Sequence, residues 1–195
     1  MLVLLLAGAT RPVEAALSGG PRLAAAYDSI LNAQFDRAAT QLKEACPPAP
    51  LEACRVLDVV SSWWRIQLNP ESRARDARFV EQAAAATEAA EAWTVREPAR
   101  AEAWFYLAGS YAPLVQFQVL RGERLSAARN GSRIKRALER TIQLDPFLVD
   151  AHFGIGLYEY YADVAPAGAK LLRWLLLLPG GDRAKGLQGR VTANS

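Results

Sequence analysis

An all-α protein built from repeated helix pairs is what this sequence predicts, and three observations carry the prediction. Pro50, Pro98 and Pro146 fall 48 residues apart. A proline pushes the residue before it out of the helical region, so each one reads as a corner where a helix has stopped. Within two or three residues of each corner apolar residues resume at helical spacing, as in Trp104, Leu107, Ala108 and Tyr111. No long segment alternates Val, Ile and Thr as a strand would.

Taken in order, the chain opens MLVLLLAGATRPVEAALSGG. Residues 2–9 form an apolar run too short to span a bilayer, which takes about 20 residues. Val13, Glu14 and Ala15 ahead of Ala16 give the small-x-small spacing of a signal-peptidase site, so residues 1–15 are expected to be an export signal. No basic residue stands between Met1 and the run, which leaves a ragged apolar N-terminus of a cytoplasmic protein as the alternative.

The two cysteines enclose CPPAPLEAC, residues 46–54. A Cys46–Cys54 bond would close a loop of about nine residues, worth roughly 2.6 kcal/mol on the chain-entropy account, and would need an oxidising compartment. Two small buried hydrophobes facing different ways are the alternative. With two cysteines and one distant histidine the chain cannot fill a tetrahedral zinc shell, so no metal and no cofactor are expected.

Aligning the chain on its prolines sets Ala53 over Ala101, Trp63 over Tyr111, Ala89 over Ala137 and Glu97 over Asp145. Residues 53–100 and 101–148 therefore read as two units of 48 residues. Asn69 and Pro70 mark the turn inside the first; in the second Pro113, Arg121-Gly122 and Asn130-Gly131 compete for it. After the third corner an aromatic helix runs from about 149. The stretch LLRWLLLL, residues 171–178, is interrupted by Arg173 and ended by Pro179, too short for a membrane span and expected to be a buried second helix. A further helix begins at Asp182, and residues 183–195 are expected to be an incomplete C-terminal segment.

The segments AEAWFYLAGSY (101–111) and VDAHFGIG (149–156), each behind a proline corner, resemble tetratricopeptide repeats. Trp104, Leu107 and Tyr111 match large positions of that family's first helix, Gly156 its small position, and Pro98 and Pro146 its terminal proline; FDRAA, from Phe35, resembles the start of a second helix. The family unit has 34 residues, so these two carry 14 more, enough to lengthen both helices by two turns with the same faces inward. His152 stands where Trp is expected, and Glu159 where Tyr is. The resemblance covers about residues 19–182 and implies an α-solenoid of antiparallel hairpins over residues 16–182, which binds a peptide or protein in a concave groove.

By the same mapping Glu102, Phe105 and Gly109 of one unit, with Phe153, Leu157, Tyr160 and Tyr161 of the next, face that groove. Ordinary packing between units is the competing account. Arg121, Arg124, Arg129, Arg133, Lys135, Arg136 and Arg140, against Glu123 and Glu139, form a basic segment suited to an acidic partner or an anionic membrane surface, or simply to solvent. The whole chain holds 23 basic and 20 acidic residues, and the basic segment lacks interleaved aromatics, so nucleic acid is not the expected partner. His152 has no second histidine to work with, and no Ser/His/Asp order or convergent acid pair is evident. Gly154 and Gly156 lie within a helix rather than at its start, which suits close helix approach and not a dinucleotide loop. The expectation is a non-catalytic scaffold, probed against a peripheral envelope-membrane module and an all-α hydrolase fragment.

Overall fold

The corners form where the prolines demand them. In the computed structural model, which describes residues 17–164 and their side chains as far as Tyr160, seven helices and no strands are found among the described residues. The expected export signal, the side chain of Tyr161, the 171–178 stretch and residues 183–195 lie outside them.

Helix α1 (Gly20–Leu31) begins behind Gly19, whose φ of 71° only glycine adopts without strain, and carries Pro21 in its first turn. Helix α2 (Phe35–Ala45) leads into a short loop whose first residue, Cys46, is joined to Cys54 in the opening turn of the next helix, with their Cα atoms 6.5 Å apart. Pro50 caps α3 (Leu51–Gln67), and residues 68–75, including Asn69 and Pro70, turn the chain into α4 (Asp76–Arg96). The second corner opens α5 (Ala101–Leu120). Of the three turn signals in that unit the chain uses Arg121-Gly122, where Gly122 takes φ 82°. Pro113 is carried inside α5, and Gly131 inside α6 (Arg124–Leu144). The third corner opens α7 (Val149–Val164). No helix among the described residues is long and apolar enough to cross a membrane.

Two corners are tied in the same way. The Trp104 indole N–H donates to the Pro98 carbonyl at 3.0 Å, and His152 Nε2 lies 2.8 Å from the Pro146 carbonyl, each reaching six residues back. His152 therefore stands in for Trp104 as a ring N–H donor to a main-chain carbonyl of the corner ahead of its helix. That accounts for a histidine where the repeat resemblance expects tryptophan.

Helices pack as consecutive pairs, and α1 also packs on α3 and α3 on α5. Each even-numbered helix through α6 touches the helices before and after it. Three apolar clusters fill the interior formed by the described residues. The first joins Leu23, Leu42, Val56, Trp93 and Tyr106, and the second joins Leu107, Tyr111, Leu138, Leu148 and Ala151. The third occupies the far turns of α3, α4 and α5, where the rings of Trp63, Phe79 and Phe117 meet in series, tilted to one another, at 6.1 and 4.8 Å between centres. Those aromatic side chains give the far turns of α3, α4 and α5 an apolar surface to bury, the main source of stability for such helices.

Candidate functional site

The residues expected to face a partner do not share one environment. Glu102, in the first turn of α5, is only 8% exposed, because the chain entering α1 lies across it. Its Oε1 accepts the Ser18 backbone N–H at 2.8 Å, and its Oε2 accepts the Ser18 hydroxyl at 3.0 Å. Arg100 donates to Glu102 Oε2 at 2.6 Å and to Ser18 Oγ at 3.1 Å. Arg100 is itself held by Glu97 at 3.0 Å and sits 5.1 Å from the centre of the Trp93 ring. The Arg100 and Trp93 donors keep the Glu97 carboxyl below its ordinary range.

Phe105 is half-buried, packs against the first and second clusters and meets Tyr106 edge-on at 5.4 Å. Burial, with Glu102 and Asp150 adding to it, pushes the Tyr106 hydroxyl up from its ordinary value. Gly109 is used for packing: a Cβ there would lie 3.3 Å from Val56 Cγ1 of α3. Of the α7 residues, Leu157 and Tyr160 are half-buried, while Phe153 is 46% exposed. Gly154 admits α6, since a Cβ there would come within 2.9 Å of Leu138 Cδ1.

The basic segment divides. Arg121 leaves it altogether: its side chain is 6% exposed and binds both Asp76 oxygens at 2.8 Å and the Pro70 and Ser72 carbonyls at 2.7 and 2.9 Å. Lys135 is committed to Glu139, with Glu159 3.8 Å away. Arg124 is exposed at the start of α6. The remaining four, Arg129, Arg133, Arg136 and Arg140, are all exposed and follow the i, i+4, i+7, i+11 pattern of one helix face. Arg133 lies 5.5 Å from the Tyr111 ring centre and 3.3 Å from its hydroxyl, which donates to Glu91 at 2.5 Å. Burial first, then Glu91, pushes Tyr111 up to about 12.

A cleft of about 260 Å³ between α2, α3 and α4 has no counterpart in the sequence reading. Phe35, Asp58, Ser62, Arg65, Arg75 and Gln82 are among its walls. Ser62 donates to Gln82 at 2.7 Å, Gln82 donates to Asp58, and Arg65 covers the Phe35 ring at 4.5 Å. Its walls come from three helices, so no local motif announces it. No group of three His, Cys, Asp or Glu side chains could hold a metal among the described residues.

No protein-family model matches the chain, and no curated protein or solved structure matches it either.

Proposed function

We propose that the chain is an exported, non-catalytic interaction scaffold, a solenoid of tetratricopeptide-like hairpins holding a peptide or protein along its odd-numbered helices. The packing order carries this reading: α1 lies on α3 and α3 on α5, while each even-numbered helix braces the two around it. Such nearest-neighbour stacking extends a surface without closing a central pocket. The exposed Phe153 and half-buried Phe105 and Leu157 supply apolar anchors on that surface. The Cys46–Cys54 bond supports export, because an oxidising compartment would keep it. The test selects peptides from a random library against the full chain and locates them by hydrogen exchange. Protection on α5 and α7 is expected; protection confined to α2, α4 and α6 refutes the reading.

A second reading, a peripheral membrane module, is favoured by the four-arginine face of α6. Each basic side chain near an anionic surface contributes about 1 kcal/mol, so replacing Arg133 and Arg136 by Gln should weaken vesicle binding roughly thirtyfold. Flotation with phosphatidylglycerol and phosphatidylcholine vesicles tests it. Equal flotation on both, or none on either, removes the membrane from consideration.

A further inference from the structure

The first turn of α5 spends its polar groups on a piece of chain 84 residues away in sequence. Glu102 takes one main-chain N–H and one hydroxyl from Ser18, and Arg100 closes over the same hydroxyl. The clamp is held ready from behind, since Glu97 binds Arg100 and accepts the Trp93 indole N–H at 2.8 Å. Beside it Leu17 packs against both the first and the second cluster, as Phe105 does. Gly19 then turns the chain away at φ 71°, so close to Ala49 that a Cβ would lie 2.6 Å from the Ala49 Cβ. Peptide-recognition sites likewise pair hydrogen bonds to a ligand's main chain with apolar pockets for its side chains.

We infer that the first turn of α5 is a peptide clamp and that Leu17-Ser18 is its ligand in cis, so that a partner peptide enters by displacing it. The peptide it accepts has a large aliphatic residue followed by Ser or Thr. Glu102 needs the N–H and the hydroxyl from one residue, and the clusters need the side chain just before it. The identity of the incoming partner rests on the scaffold reading above; the occupancy in cis does not. A tethered segment competes at an effective concentration of the order of millimolar. The intact chain should therefore bind a free peptide at least tenfold more weakly than a chain whose own segment is disabled.

The probe is a fluorescent peptide carrying residues 13–20, VEAALSGG, titrated by anisotropy against the full chain. Leu17→Asp/Ser18→Pro, which removes the aliphatic side chain, the N–H and the hydroxyl, should bind it at least tenfold more tightly than the unaltered chain. Adding Glu102→Met should abolish that gain. Equal binding by the unaltered and double-variant chains, or a gain that survives Glu102→Met, overturns the inference. Hydrogen exchange on the unaltered chain supplies an arm that needs no destabilising change at the segment. The Ser18 amide should be protected, and Glu102→Met should release it while α5 amides stay protected. Exchange of Ser18 at the free-peptide rate in the unaltered chain overturns the inference too. Library peptides that map only to the even-numbered helices, with Ser18 still protected and the probe still gaining, would sink the scaffold reading and leave the clamp standing.

Discussion

Replacing Arg121 by Met separates a structural arginine from a surface one. The guanidinium makes four hydrogen bonds, two to Asp76 at 2.8 Å and two to the Pro70 and Ser72 carbonyls at 2.7 and 2.9 Å. It also lies 5.5 Å from the Phe117 ring centre, so it joins the α5–α6 turn to the loop between α3 and α4. Breaking a buried pair by removing one partner costs roughly 3–5 kcal/mol, mostly for the charge left behind. Asp76 keeps 17% of its side-chain exposure, which places the expected loss near the bottom of that range, about 3 kcal/mol. With a urea m value of about 2.5 kcal/mol/M, the midpoint should fall by about 1.2 M at constant slope. Arg121→Met/Asp76→Asn removes the stranded charge and should recover about 1.5 kcal/mol relative to the single variant. A surface arginine would change stability by less than about 0.5 kcal/mol. A single-variant loss under about 1 kcal/mol, or strict additivity in the double variant, would refute the tie between the α5–α6 turn and the α3–α4 loop.

Reducing the Cys46–Cys54 bond, or replacing both cysteines by Ser, should lower stability by roughly 2.6 kcal/mol, read as the difference between urea melts with and without reductant. Gly19→Ala places a side chain at φ 71° and 2.6 Å from Ala49 Cβ, so it should cost at least about 2 kcal/mol. Gly122→Ala, at φ 82° with nothing within 4 Å, carries the backbone term alone and should cost about 1 kcal/mol. Thermal melts of the two variants rank them, and equal losses would show that Ala49 yields freely. Glu97 is held below its ordinary carboxyl range, so its contribution is present above the unfolded value of 4.5 and lost as pH falls through the folded one. Glu97→Gln should therefore lose less stability than the unaltered chain as the pH drops below that value, followed by fluorescence unfolding at stepped pH.

Helix content and the corners were legible because proline acts locally. Pro50, Pro98 and Pro146 stop helices through their own rings and the residue before them, a signal carried by a few neighbouring residues. The turn inside the second long unit was harder, because Pro113, Gly122 and Gly131 give the same local signal for different causes. Gly122 is needed for its positive φ. At Gly131, inside α6, a Cβ would meet Tyr158 of α7 at 3.8 Å, an ordinary contact that leaves room for a side chain. Pro113 is buried inside α5, where the neighbouring helices outweigh its missing hydrogen bond. Choosing among the three requires knowing which helix passes which, and sequence spacing does not contain that.

The candidate site shows the same division more sharply. A repeat mapping assigns a face to each residue from its place within its own unit, so it treats Glu102, Phe105 and Gly109 as equivalent in kind. What distinguishes them comes from outside the unit: Ser18 arrives over Glu102, and Val56 of α3 crosses at Gly109. Arg121 was read with its neighbours in α6 because they are contiguous, yet its partner Asp76 is 45 residues away, and α6 begins only at Arg124. The corner donors show when local position does suffice. Trp104 and His152 hold equivalent places, and both bond a carbonyl of their own corner. The contact partner is set by the same few residues that set the helix start. Repeat register therefore predicts a side-chain role where the partner is the backbone of the residue's own corner, as at Trp104 and His152. At Glu102 and Arg121 the partner is distant in sequence, and the role belongs to whichever segment packs there.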